Sequence, residues 1–185
     1  MKSICFRLLL NLAAVVSFAF AIAVPTTAMA DAITLMIPGI PGDSKIAGQQ
    51  GAIDVMSQSD DIVNPATAPS PGGGAGAGKA KFGDMMIHKR FDGSSPALFL
   101  GLVTGKLFPN AEITFFQQSG GGKLTKSFTI ALTTIVVTKF ATDDASDQIH
   151  LTAQEQINLF YAKIQLKDEV TGNTACFDVL RNVKC

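Results

Sequence analysis

Hydrophobic and polar residues alternate over several short stretches of the sequence, and a period of two is typical of β-strands that bury one face. The first three stretches predict strands over 32–37, 51–57 and 79–91. In the third strand the alternation sets Phe82, Met86 and His88 against Lys81, Asp84 and Lys89. Lys89 is therefore predicted to lie on the charged face of that strand.

Later stretches rich in Ile, Val, Thr and Phe predict two β-hairpins. The first hairpin pairs 111–118 with 126–138 across three glycines, and the second pairs 155–167 with 174–183. Between the hairpins, the polar segment 142–147 is predicted to be a loop.

One segment changes period and predicts a short helix at about residues 96–104. Ser94 and Ser95 offer a hydroxyl for the N-cap, Pro96 suits the first turn, and Gly105 is a natural stop. Seven strand candidates and one helix, without strand–helix alternation, predict a mainly β fold. We expect a small antiparallel β-barrel or sandwich with this one α-helix at its flank.

The start of the chain has the pattern of a signal peptide. Lys2 and Arg7 precede an almost uninterrupted apolar run, and Ala28-Met29-Ala30 presents small residues where a signal peptidase reads. A membrane anchor is the alternative, but the run is shorter than the roughly 20 residues that a spanning helix needs. We predict cleavage after Ala30 and export to the periplasm or the medium, with no membrane association afterwards.

The remaining residues, 31–185, are predicted to form one domain. Within it, 64–78 contains three prolines and a glycine-alanine run, which predicts a long flexible loop. Loss of Lys2 and Arg7 leaves thirteen basic against fifteen acidic residues, a net charge of −2. That balance gives no reason to expect nucleic acid or anionic lipid as a partner.

Cleavage would also remove Cys5 and leave Cys176 and Cys185, a candidate disulfide in an oxidising compartment. A straight strand would hold their Cα atoms about 30 Å apart, well beyond the range that a disulfide tolerates. The tail must therefore turn back, or the bond must join two chains.

Candidate catalytic and ligand-binding motifs fail on their context. Gly73–Lys79 resembles a phosphate-binding loop, but Ala80 replaces the required hydroxyl. His88 and His150 lack the spacing of a zinc site, and the aspartates at 143, 144 and 147 lack that of a calcium loop. Glu112 and Glu155 could in principle form a carboxylate pair, but sequence alone does not place them together. We expect no enzyme activity, cofactor or metal.

The segment from Phe91 to Phe99, FDGSSPALF, followed by Gly105 and Pro109, closely resembles the haemolysin-coregulated protein family, the tube protein of bacterial type VI secretion. Asp92, Ser94, Ser95, Pro96, Leu98 and Phe99 form the most specific part of the resemblance. Three further parts of the chain look similar to the family: Gly42–Lys45 leading to Ile53–Ser57, Gly78-Lys79, and Glu155–Gln165.

The resemblance implies a structural protein without an active site, six copies of which form a ring that stacks into a tube and carries effector proteins. It implies that 64–78 contacts neighbouring copies within and between rings. The signal peptide is the departure, because tube subunits of this family polymerise in the cytoplasm. Two alternatives therefore stay open: an exported relative that acts as a secreted virulence or interaction factor outside any tube, and a β-barrel module that binds a small ligand or glycan.

Overall fold

A computed structural model describes residues 31–65, 78–119, 122–147 and 150–185, with the backbone alone at 143–147 and 150–152. The described residues contain eleven β-strands and one α-helix. The strands are β1 (Ala32–Met36), β2 (Ile53–Val55), β3 (Ser57–Ser59), β4 (Ile62–Val63), β5 (Lys81–Phe82), β6 (Met85–Arg90), β7 (Leu107–Ser119), β8 (Lys123–Asp147), β9 (His150–Asp168), β10 (Thr174–Asp178) and β11 (Val183–Lys184), and the helix is α1 (Ser95–Val103). The predicted signal peptide, 1–30, and most of the predicted loop, 66–77, lie outside the described residues.

Three long consecutive strands, β7, β8 and β9, form the main sheet by antiparallel pairing. β1 adds to the free side of β7, and β2 adds to β1. The other side of β9 is shared by two strands: β6 pairs with its residues 154–159, and β10 pairs with its residues 163–167. The predicted mainly β, antiparallel architecture is confirmed.

The strand path almost returns to its start. β3 pairs with β6, and Met56, the single residue between β2 and β3, donates its N–H to the carbonyl of His88 at 2.8 Å. β2 and β3 are therefore joined by the continuous chain through Met56, not by hydrogen bonds between the two strands. The result is a barrel-like sheet whose inward side chains form one core, which includes Leu35, Ile53, Ile87, Ile113, Leu132, Ile157 and Leu159.

The helix α1 begins and ends where the sequence predicts, within one residue. It lies on β8, and its close approach depends on Gly101, where an added Cβ would stand 3.1 Å from the ring of Phe108. Leu98, on the inward face of the helix, is fully buried. Ser94 is the N-cap residue, but its hydroxyl makes no capping bond to the helix, which corrects the expected role of that hydroxyl.

Several strands differ from their predicted extent. The segment 142–147, predicted to be a loop, continues β8 and pairs with β9 as far as Asp147 and His150. The predicted strand 79–91 is broken before β6, and Gly83 donates its N–H to Asp61 there. The alternation restarts in the opposite phase after this break, so Met85, Ile87 and Lys89 point inward. The predicted orientation of Lys89 was wrong for this reason.

The chain turns back at its tail and forms the disulfide within one molecule. The Cα atoms of Cys176 and Cys185 lie 5.3 Å apart, and β11 pairs antiparallel with β10. Asp178 holds the intervening turn, because its carboxylate accepts hydrogen bonds from the N–H and Nε of Arg181 at 2.9 and 2.8 Å. Of the two arrangements left open by the sequence, the turned-back tail is the one observed.

Candidate functional site

A buried ion pair lies next to the segment 91–99 that carries the family resemblance and bonds to its Asp92 and Ser95. Lys89 on β6 and Glu155 on β9 are directly opposite in the strand register. Their Nζ and Oε1 atoms are 2.5 Å apart, and both side chains have 0% exposure. Two charges are stable in such a place only when further hydrogen bonds satisfy them.

The additional partners of Lys89 come from the start of the helix. Its ammonium donates to Asp92 Oδ1 at 2.9 Å, to the carbonyl of Arg90 at 2.8 Å and to Ser95 Oγ at 3.2 Å. With Glu155 these make four acceptors for the three N–H donors of an ammonium, so the donor capacity of Lys89 is fully used. One lysine therefore ties two strands to the turn that precedes α1.

Asp92 and the two serines complete this polar cluster, which we call the helix anchor: Lys89, Asp92, Ser94, Ser95 and Glu155. The carboxylate of Asp92 accepts hydrogen bonds from the N–H of Ser94 at 2.8 Å and from its hydroxyl at 2.5 Å. Ser95 Oγ donates to Glu155 Oε1 at 2.9 Å and accepts the N–H of Asp92 at 3.1 Å. Ser95 thus fixes the entry of the helix by a bond to β9, and Ser94 closes the turn before it by its bonds to Asp92.

The environment of Asp92 favours its charged form. Burial opposes ionisation, but hydrogen bonds from Lys89 and from the hydroxyl and N–H of Ser94, together with the charge of Lys89, outweigh burial and lower the pKa of Asp92 below its ordinary value. Asp92 therefore carries its negative charge at neutral pH, which balances part of the buried positive charge.

The outer surface of α1 is apolar. Phe99, Leu100 and Val103 are 49%, 57% and 58% exposed, and Leu107, just beyond the helix, is 59% exposed. Phe99 meets the ring of Phe140 edge to face, with centroids 5.9 Å apart. We call these four exposed residues, 99, 100, 103 and 107, the outer helix surface.

The six motif residues thus separate by position. Ser94, Ser95 and Leu98 are buried and Asp92 is mostly so, whereas Pro96 and Phe99 are exposed. The inner residues hold the helix, and the outer ones belong to its solvent side. Lys89 and Glu155 were missed as partners of the motif because their contact joins positions 66 residues apart in sequence.

The other candidate groups do not come together. Glu112 is half exposed and pairs with Lys126 at 3.5 Å, apart from the buried Glu155, so the two glutamates form no carboxylate pair. Within the described ranges no group of three or more His, Cys, Asp or Glu side chains has the arrangement of a metal site. The same residues include no helix long and apolar enough to cross a bilayer.

Comparison with protein families gives a match over most of the chain. The family model described as "Type VI secretion system effector, Hcp" matches residues 34–167. This range contains the whole helix anchor and all of β2 to β8. It leaves out the start of β1, the last residue of β9, and the whole of β10 and β11. Among curated proteins, none matches this sequence.

Solved structures with the same fold cover nearly their whole length. Hcp1 from Salmonella typhimurium is 21% identical, with a TM-score of 0.69 over 84% of this chain and 100% of that one. A structure titled as a type six secretion system protein is 20% identical, with a TM-score of 0.74 over 84% and 100%. A type VI secretion system effector from Yersinia pestis is 19% identical, with a TM-score of 0.62 over 79% and 98%.

Proposed function

The chain belongs to the family of the type VI secretion system effector Hcp, and from this membership we propose that it acts as a structural subunit that assembles with copies of itself into a ring. Six copies are the number that the family resemblance implies. The ring provides a conduit or carrier for secreted effector proteins, and the subunit itself catalyses no reaction.

The observation that carries this proposal is the outer helix surface. A helix on the surface of a soluble protein normally turns polar side chains to water, whereas one that is apolar on all sides is normally buried. α1 reads SPALFLGLV and contains no charged residue. Contiguous exposed apolar residues of this kind mark surfaces that meet another protein.

The helix anchor supports the same role. It fixes α1 to β6 and β9 by directional hydrogen bonds, so the outer helix surface is presented in one orientation. A ring needs such rigidity, because a head-to-tail contact closes only when each subunit repeats the same rotation. We assign the motif residues Asp92, Ser94, Ser95 and Leu98 to holding the helix, and Pro96 and Phe99 to its contact with the neighbour.

A comparison of two aspartate substitutions tests this assignment. Leu100→Asp places a charge in the outer helix surface, and Val170→Asp makes the same kind of change at an apolar side chain that is 78% exposed in the turn before β10. Burying an unpaired carboxylate in an interface is unfavourable, so we expect L100D to be monomeric and V170D to keep the mass of the unmodified protein. Light scattering at tens of micromolar and negative-stain microscopy measure both.

The outcomes separate cleanly. Ring images for the unmodified chain and V170D, with monomers for L100D, support the proposal. If L100D and V170D both have the mass of a ring, the contact between subunits does not involve α1. A monomeric unmodified chain at this concentration would refute ring assembly altogether and favour the ligand-binding alternative.

Export is part of the proposal. We infer that residues 1–30 are a signal peptide cleaved after Ala30, and that residues 31–185 form the mature single domain in the periplasm or the medium. The charged start, the apolar run and Ala28–Ala30 support it, and the disulfide between Cys176 and Cys185 suits an oxidising compartment. Mass spectrometry of the exported protein should find Asp31 as its N-terminus, and a product that retains Met1 would contradict this.

The signal peptide also favours one second candidate function. A subunit that leaves by the general secretory route is separated from a cytoplasmic tube, which supports a secreted virulence or interaction factor that forms rings on its own.

Stacking of rings into a tube decides between the tube subunit and the secreted factor, and the segment 66–77 is the proposed contact between rings. The described residues on either side of it, Pro65 and Gly78, are close together, since an added Cβ on Gly78 would lie 2.5 Å from the Pro65 carbonyl oxygen. Deleting 66–77 should abolish stacks and leave single rings, and unchanged stacks would exclude this contact.

A further inference from the structure

The strand β10 has an outward edge that the tail covers. On its inner side β10 pairs with β9. The residues just before and after β10 bond to β9 as well: the Asn173 carbonyl accepts the N–H of Asp168, and the Val179 N–H donates to the carbonyl of Ala162. Backbone groups of alternate residues point to opposite sides of a strand. The N–H and C=O groups of Thr174, Cys176 and Asp178 therefore point outward.

The cover over this edge is slight, and its end is held by the disulfide, whereas the bonds of Arg181 to Asp178 hold the turn before it. β11 has two residues, which pair with Phe177 and Asp178, and Cys185 donates its N–H to the Cys176 carbonyl at 3.3 Å. A two-residue strand has little stability of its own. Cys185 is exposed and Cys176 half-buried, so a reductant can reach the bond.

We propose that the outward edge of β10 is a self-pairing surface for a second copy of this chain, which the Cys176–Cys185 disulfide keeps covered and which its reduction uncovers. Reduction by a dithiol transfers two electrons and two protons to the bond, giving two cysteine thiols, while the dithiol becomes a disulfide. The tail then loses its covalent tie, and the outward groups of β10 become available.

The sequence of β10 suits pairing with itself. In an antiparallel pair centred on Cys176, Cys176 lies opposite its equivalent and Thr174 lies opposite Asp178 of the other copy. All outward groups then exchange hydrogen bonds, and no two like charges meet. The contact has twofold symmetry, because the same residues contribute from both sides. It does not depend on the proposed ring, whose head-to-tail contacts join different residues.

This register makes the two Cys176 side chains a built-in probe. Opposed residues that exchange both hydrogen bonds have Cα atoms about 5.5 Å apart, which a disulfide can span. The full-length gene with Cys5→Ser supplies a background in which Cys176 and Cys185 are the remaining cysteines. Adding Cys185→Ser leaves Cys176 alone, and adding Cys176→Ser leaves Cys185 alone. Both variants lack the intramolecular disulfide, so they are matched.

The experiment is oxidation of each reduced variant by diamide, which accepts the two electrons and two protons of two thiols. The variant with Cys176 alone should form dimers at least about tenfold faster, since pairing raises the effective concentration of its thiols. Random collision would instead favour the more exposed Cys185. Non-reducing electrophoresis gives the rates, peptide mass spectrometry must find the Cys176–Cys176 link, and circular dichroism confirms that both variants are folded.

A proline substitution adds a test that involves no change in the thiol. Thr174→Pro removes one outward N–H and leaves the ladder to β9 intact, as edge strands tolerate. Together with C5S and C185S, it should slow the dimerisation markedly. Equal rates for the two single-cysteine variants, or no effect of T174P, would overturn the proposal.

Discussion

Replacing Lys89 with methionine should destabilise the fold far more than the same replacement of any other lysine that forms an ion pair among the described residues. Methionine has a similar length, so Lys89→Met leaves the volume of the side chain almost unchanged. What it removes is the cation that Glu155, Asp92 and Ser95 share. Glu155 then remains fully buried, with its charge uncompensated.

The size of the effect follows from this burial. Removing one partner of a buried ion pair typically costs about 3–5 kcal/mol, because the remaining charge keeps its desolvation penalty. For a chain of this length each kcal/mol shifts the melting temperature by roughly 2–4 °C. We therefore expect K89M to melt roughly 6–20 °C below the unmodified protein.

The assay is thermal and urea unfolding at one fixed protein concentration, because assembly stabilises the folded state by mass action. Lys126→Met is the matched control, since Lys126 and Glu112 are 44% and 46% exposed and 3.5 Å apart. Exposed pairs contribute little, so K126M should stay within about 0.5 kcal/mol of the unmodified protein. A loss below about 1 kcal/mol in K89M would refute the account of a buried, strongly coupled pair.

Two further predictions concern single residues of the main sheet. Thr134 in β8 has a φ of 53°, a left-handed conformation that is strained for a β-branched residue. Thr134→Asn should therefore raise the free energy of unfolding by about 0.5–1 kcal/mol. Thr133→Asn is the control and should not raise it, because Thr133 is not in the left-handed region. Equal denaturation midpoints for the two variants would contradict this. Burial, and then the charges of Asp60 and Asp84, raise the pKa of Tyr161 to about 12, and as the sole tyrosine it gives an unambiguous ultraviolet titration. The unfolded chain releases the Tyr161 proton near pH 10, so the free energy of unfolding should fall between pH 10 and 12. The fall should be roughly 2–3 kcal/mol larger than in Tyr161→Phe. A titration midpoint near pH 10 in the folded protein would contradict the burial of the ring.

Local signals in the sequence were sufficient for the helix and for the two predicted hairpins. Ser-Ser-Pro and Gly105 bracket α1 because the chemistry of helix ends lies in adjacent residues. The two hairpins were found for a similar reason, since β-branched runs flank glycine-containing turns. The full length of β8 was not predictable, because its polar end is a strand through pairing with β9, which a local pattern does not contain.

The helix anchor shows where local reasoning fails. The residues Asp92, Ser94 and Ser95 are adjacent and could be recognised as a motif, but their partners lie on other strands. The orientation of Lys89 depends on a break at Gly83, two residues before β6, that reversed the alternation. A charged residue in phase with Met85 and Ile87 is the signal that would have revealed it, had the break been placed. The position of Glu155 required the register of β6 against β9.

The polar character of the helix anchor has a consequence for assembly. Apolar residues of similar volume can replace a buried ion pair with little loss of stability, and sometimes with a gain. With an apolar anchor the orientation of α1 would rest on the packing of Leu98 and Gly101 alone, whereas the hydrogen bonds of Asp92 and Ser95 add a directional constraint. Lys89→Met combined with Glu155→Leu should therefore recover more than half of the stability lost in K89M and still form rings poorly. Unfolding measures the first effect and light scattering the second, and a double variant that forms rings as well as the unmodified chain would show that the anchor has no part in orienting the helix.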